Sequence, residues 1–166
     1  MKQTIREITD NELSRSARVI RDSFRTVAAE FGLTRENSPT HPSFTTVRQL
    51  RKLKDKGLMF FGLFLDDRQV GFVAIEKADN KLYYMEKLAV LPGYRHKGCG
   101  TGLVRFVFDY VQERDGKTLS IWHYRRTHHI EKLVQGIRLQ GNIHQEISPP
   151  ALYGVFHGKR IILKFY

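Results

Sequence analysis

Thr4-Ile5-Arg6-Glu7-Ile8-Thr9 alternates apolar and polar positions with the period of a strand, and Asp10 or Asn11 can cap a helix after it. Leu13, Ala17, Val19, Ile20, Phe24, Val27, Ala28 and Phe31 then recur at helical spacing, which predicts a long amphipathic helix ending near Gly32. Arg15, Arg18, Arg21 and Arg25 read as its solvated face. A polar, proline-punctuated loop covers 33–46, and Thr46 to Gly57 reads as a short basic helix with Leu50 and Leu53 inward. Leu58 to Leu65 and Val70 to Lys77 are predicted strands of a hairpin turning at Asp66-Asp67-Arg68-Gln69, and Ala78-Asp79-Asn80 leads into a third, Lys81 to Val90. Leu103, Phe106, Val107, Tyr110 and Val111 mark a helix from about Gly100 to Glu113, and Thr118 to Ile121 reads as a fifth strand. No linker, repeat or low-complexity segment interrupts this order.

The chemistry concentrates between Lys87 and Val104, KLAVLPGYRHKGCGTGLV. Leu88-Ala89-Val90 is the end of a buried strand, Pro92-Gly93 punctuates it, and Gly98, Gly100 and Gly102 fall where the next helix begins. The first N–H groups of a helix have no partner within it, and the macrodipole adds positive potential, so main chain alone can hold an anion there. Glycines let that backbone approach closely, and Arg95, His96 and Lys97 add donors, so a pyrophosphate fits well. A P-loop is excluded because Lys97 precedes Gly98 and only Thr101 follows Gly100. A GxGxxG fingerprint fails because the glycines stand at 98, 100 and 102. A glycine-rich turn serving packing alone is the bland alternative, and Cys99 reads as a small residue tolerated between glycines rather than as a reactive thiol.

The remaining pattern, Arg95-x-x-Gly98-x-Gly100 after LAVLPGYR, resembles the pyrophosphate signature of the GNAT superfamily of acetyl-CoA-dependent N-acetyltransferases. The order strand, two helices, three strands, helix, strand over about residues 4 to 121 resembles the same family. The resemblance implies an α/β acyl-CoA N-acyltransferase fold, a mixed, mostly antiparallel central sheet flanked by helices. It implies acetyl-CoA as co-substrate, no metal, and the pantetheine arm along Leu88, Ala89 and Val90. The pyrophosphate would lie on the backbone of His96, Lys97, Gly98, Cys99, Gly100 and Thr101, with Arg95 in support. Acetyl transfer needs a neutral amine and a polarised carbonyl. Glu86 is the carboxylate best placed to take the ammonium proton, with Tyr83, Tyr84 and His41 behind it. Alternation puts Tyr84 and Glu86 on one face and Met85 and Lys87 on the other, unless a bulge intervenes. His41, in the Thr40-His41-Pro42-Ser43 loop expected to border the acceptor cleft, reads as a loop hydrogen-bonder.

After the fifth strand, family members carry an aromatic-Tyr-x-x-x-Gly-Phe helix, whose Tyr protonates the departing thiolate, and two closing strands. Here the text is WHYRRTHHIEKLVQGIRLQGN, and Val134 stands where that Tyr is expected. Codons permitted for Trp122 to Leu139, read one base downstream, spell GIIDEHTILKNWYKAYGF, and those for His144 to Lys159 spell TKKFPHLPFTVCFMEK. The expectation is that one inserted base, or two lost ones, near the Ile121 codon displaced the frame. The alternative is a divergent tail with a helix over His128 to Gln140 and a strand over Arg160 to Tyr166.

The length of 166 residues and 41% hydrophobic content suit a single domain, which the resemblance implies is one N-acetyltransferase domain over 1–166 with residues 122–166 its atypical part. No run suits a membrane helix, the start MKQTIREITDNELSR is too charged for a signal peptide, and a lone cysteine fits a reducing cytoplasm. Of the net charge of +11, residues 1–121 supply +6 (21 Lys or Arg, 15 Asp or Glu) and the tail +5 (seven against two). The tail's share is suspect, and the interleaved aromatics of a single-strand binder are missing, so nucleic acid is disfavoured as a partner. His123, His128 and His129 lack carboxylate or cysteine partners for a metal. The expected partner is a small-molecule or peptide amine, and a homodimer is compatible with the chain. A CoA-binding protein without turnover is the competing reading, and a basic nucleic-acid module a weaker one.

Overall fold

The computed structural model describes residues 2–124, Val134, 143–148 and 158–165. The chain forms two compact units, residues 1–74 with 87–103, and residues 75–86 with 104–166.

In the first unit, β1 (Gln3–Glu7) leads through a 3-10 turn into α1 (Leu13–Glu30). Thr9 and Glu12 form a reciprocal capping box, and Arg6 pairs with Glu12 at 2.6 Å. The Arg6 hydrogen bond, joined by donors from Thr9, lowers the Glu12 carboxyl to about 2. Gly32, at φ +60°, ends α1 in the left-handed conformation that a side chain resists. α2 (Val47–Asp55) starts at Thr46, which forms a second capping box with Gln49. β2 (Met59–Leu65) runs antiparallel to β1 from Gln3↔Leu65 to Glu7↔Phe61. It turns at Asp66, φ +52°, into β3 (Arg68–Lys77), which starts two residues before the expected Val70. Ile8, Leu13, Ala17, Ile20, Leu50, Phe60 and Phe72 form the core beneath the two helices, with Phe60 and Phe72 centred 5.3 Å apart. Burying such a side chain is worth about 1.5–3 kcal/mol, so this cluster rather than helix propensity holds α1 and α2 in place.

β3 and β4 (Leu82–Val90) run through both units, as does α3 (Cys99–Gln112). In the second unit, Leu82–Met85 pair in parallel with Thr118–Ile121 of β5 (Thr118–Tyr124), which extends three residues past the predicted strand. A parallel neighbour requires a crossover, and α3 supplies it. Of the positions read as the face of α3, Leu103, Val107 and Val111 are buried and Phe106 and Tyr110 half-buried, while Val104 and Phe108, not singled out, are buried beside them. β6 (Ile143–Ser148) and β7 (Gly158–Phe165) close the sheet: β7 pairs antiparallel with β5 from Thr118↔Lys164 to Tyr124↔Gly158, and β6 lies outside it. The order in this unit is therefore β3-β4-β5-β7-β6, and in the first β1-β2-β3-β4. The mixed, mostly antiparallel sheet with flanking helices is the α/β architecture expected. Ile161, Leu163 and Phe165 are buried in β7, which covers most of the expected Arg160–Tyr166 strand. The helix expected over His128–Gln140 lies outside the described residues except at Val134, which is helical and buried.

Candidate functional site

β4 ends at Val90, a 3-10 turn covers Pro92–Tyr94, and α3 begins at Cys99. Between them His96 takes φ +59° and Gly98 φ +80°. Left-handed residues in such a loop turn successive N–H groups toward one side. The first bond of α3 is Gly102 N to Gly98 O at 2.8 Å, so the N–H groups of Gly98, Cys99, Gly100 and Thr101 have no carbonyl within the helix to bond. A Cβ on Gly98 would meet no residue beyond its chain neighbours within 4 Å, so space is open there, and the positive φ is what favours glycine. A Cβ on Gly102 would stand 3.0 Å from Gln3 Nε2, the end of an exposed side chain that can move aside. Cys99 is 3% exposed, a packing residue rather than an accessible thiol.

The basic side chains of the loop are turned largely onto the protein. Arg95 donates from Nε to Val90 O at 3.2 Å, from Nη1 to Thr26 Oγ1 at 3.0 Å, and from Nη2 to Ser23 O. One guanidinium thus ties the end of β4 and the loop to α1. Lys97 Nζ donates to Gly93 O at 2.9 Å, and the Tyr94 ring has Lys97 Nζ and the Arg68 guanidinium each 5.6 Å from its centre. Ser23, Thr26 and Tyr94 were not singled out in the sequence, because their roles depend on neighbours distant along the chain.

Leu88 and Val90 are half-buried and Ala89 is 2% exposed. Gly71 of β3 permits this approach: a Cβ there would meet Leu103 Cδ1 at 2.9 Å and Ala89 O at 3.3 Å. The register of β4 with β5 runs from Leu82 to Met85, and β4 continues through Glu86 to Val90. Lys87 sits at φ +51°, the left-handed interruption that the alternation left room for. Up to that point alternation holds, with Tyr83 and Met85 buried and Tyr84 and Glu86 half-buried.

His41 is 7% exposed, edge-on to Phe24 at 5.8 Å and to Phe44 at 6.3 Å. The Ser43 N–H donates to Nδ1 at 3.3 Å and the Ser43 hydroxyl lies 2.8 Å from it. Nδ1 is therefore an acceptor and the neutral ring carries its proton on Nε2. Burial, reinforced by the charge of Lys87, pushes its pKa down. His41 is the loop hydrogen-bonder expected, and its acceptor nitrogen is occupied. Arg21 departs from expectation: half-buried, it donates to Thr45 O at 2.8 Å and joins α1 to the loop before α2. Among the described residues no three His, Cys, Asp or Glu gather to hold a metal, and no helix is long and apolar enough to cross a membrane.

The sequence matches the acetyltransferase (GNAT) family over residues 23–130. No match to a curated protein is found by sequence. Among solved structures, the chain resembles PaiA N-acetyltransferase from Thermoplasma acidophilum in complex with coenzyme A, with a TM-score of 0.69, 18% identity, and all of both chains covered. It resembles the ribosomal-protein-alanine N-acetyltransferase of Escherichia coli with a TM-score of 0.71 at 13% identity, over 99% of this chain and 93% of that one. An acetyltransferase from Thermus thermophilus gives 0.70 at 15% identity, over 98% and 96%.

Proposed function

The chain belongs to the GNAT acetyltransferase family, and from that premise we propose that it transfers an acetyl group from acetyl-CoA directly to a primary amine of a small molecule or peptide. The observation that carries this reading is the loop from His96 to Thr101, where two left-handed residues precede a helix start whose first N–H groups have no carbonyl within the helix. A pyrophosphate would be held there by main chain, with Leu88–Val90 offering strand backbone to an extended arm. Acetyl-CoA supplies the activated acyl group: its carbonyl carbon bonds the amine nitrogen, the carbon–sulfur bond breaks, and the proton the nitrogen sheds balances the one the departing thiolate takes up to leave as free thiol. Arg95 acts as a positioning residue, because three of its five N–H donors tie it to Ser23, Thr26 and Val90. Glu86 takes the ammonium proton, directly or through water, just before the interruption at Lys87. Cytoplasmic residence accords with the lone buried thiol.

Val134 favours a second reading. It stands where the family's acid Tyr is expected and has no proton to donate, so the chain would bind CoA without turning over. Calorimetric titration with acetyl-CoA beside a thiol-release assay over an amine panel separates the two. Binding with amine-dependent thiol release, reduced about 10²-fold in Glu86→Gln, supports the transferase. Binding without release supports the second reading, and no binding overturns both.

A further inference from the structure

The basic excess of residues 1–121 has one address. Residues 13–57 hold ten Lys or Arg against four Asp or Glu, a difference of +6, so the remainder of that region is electrically balanced. On α1 the charged positions Arg15, Arg18, Asp22 and Arg25 fall three or four apart, a single stripe opposite the buried Leu13, Ala17 and Ile20. On α2 Arg48, Arg51 and Lys52, and Lys56 just past its end, are all exposed, away from buried Leu50.

A cavity of about 370 Å³ opens beside the α1 stripe, and its lining includes Arg15, Arg18 and Arg68 together with apolar Val19 and Leu91. Two carboxylates, Asp22 and Asp67, also line it. Asp22 is paired with Arg25 at 2.8 Å, so Arg15, Arg18 and Arg68 outnumber the one other carboxylate of the lining, Asp67, whose backbone carbonyl also accepts from Arg15 at 3.5 Å. Leu91 joins the cavity to the end of β4 and to the turn that carries Tyr94, over which Arg68 lies.

We propose that this stripe and cavity form a docking surface for an acidic segment of a polypeptide acceptor. The inference rests on the transferase reading above and names its substrate class. From Arg15 to Arg25 a helix advances about 15 Å, which an extended peptide covers in about five residues. Guanidiniums match side-chain carboxylates in bidentate geometry, and apolar Val19 and Leu91 take their stems. Asp22 and Asp67 oppose the uniform negative charge of a nucleic-acid backbone at this place, which favours a peptide bearing a few acidic side chains.

The test compares two peptides with the same N-terminal residue, one acidic downstream and one carrying Lys at those positions. The acidic peptide is expected to have about tenfold higher kcat/KM at about 0.1 M salt, and to lose that lead near 1 M, where the Debye length falls to about 3 Å. Arg18→Glu with Arg68→Glu reverses the preference, and the Gln pair erases it. Equal rates for the two peptides in the native chain, with transfer intact, overturn the docking surface and leave the transferase standing. Should no amine be acetylated, anisotropy of a labelled acidic peptide decides. Salt-sensitive binding lost in the Glu pair upholds the surface without the transferase, and its absence overturns the surface. A Glu pair that weakens only acetyl-CoA, or tighter binding of an RNA oligomer than of the peptide, also overturns it.

Discussion

The strands of the first unit and the strands of the tail are specified in different ways. The elements of the first unit are bounded by local signals: the Gly32 stop after α1, the Thr46 capping box that starts α2, and the Asp66 turn at φ +52° between β2 and β3. Each operates within about four residues, so the elements are written in their own neighbourhoods. β7 is placed by a partner more than thirty residues away along the chain. Its place follows from its register against β5, with Ile161, Leu163 and Phe165 turned inward and Phe165 edge-on to Phe108 of α3 at 5.7 Å. Local signals survive the loss of distant partners, whereas a strand defined by pairing has no identity without them.

That contrast can be broken most sharply at the tail. A chain carrying the displaced reading after Ile121 recovers a Tyr at the position of Val134, and is expected to release thiol about 10²-fold faster or more than the written chain, the usual worth of a positioned acid. Sequencing the coding DNA gives the parallel check, since a displaced frame interrupted by stops excludes it. Next in size, Leu163→Ala empties a fully buried site in β7 and is expected to cost about 3 kcal/mol in urea unfolding. A loss below about 0.5 kcal/mol would show that the written tail contributes nothing to the fold. In the first unit, Arg95→Ala removes three hydrogen bonds, leaves Ser23 O and Val90 O without that donor, and is expected to cost about 2 kcal/mol and weaken acetyl-CoA binding. Arg95→Lys, which keeps the charge, would restore binding only if charge rather than loop placement matters.

The smallest effect is pH dependence, and it belongs to the local caps. Glu12 has its pKa depressed from 4.5 to about 2, so its contribution is full above pH 4.5 and fades as the pH falls through about 2. With Arg6 nearly half exposed, about 1 kcal/mol is the expected size, and Glu12→Gln should flatten that limb of an acid-unfolding curve. His41, also depressed, is neutral when folded, so its contribution is present above its ordinary 6.5 and lost as the pH drops below it. Protonation would place a proton on Nδ1 and displace the Ser43 N–H.

The glycine loop was legible because a helix start after a strand is a local pattern, and His41 because its partner is Ser43, two residues on. Arg95 was legible only as a charge. Its acceptors, Ser23 and Thr26, lie about seventy residues upstream, and no periodicity in the chain connects them. Arg21 failed the same way, since helical spacing on a polar face does not reveal that Thr45 O returns to meet it.

By itself, then, the amino-acid order determined the strands and helices through Ile121, the glycine-opened α3 and the family, because each rests on contacts within a turn or two of the chain. The tertiary structure alone decided that the loop's arginine is an internal strut, that Lys87 interrupts β4, and that α1's arginines border a cavity. Those outcomes depend on which distant carbonyls and side chains packing brings within hydrogen-bonding reach, and packing is a property of the assembled core rather than of any segment.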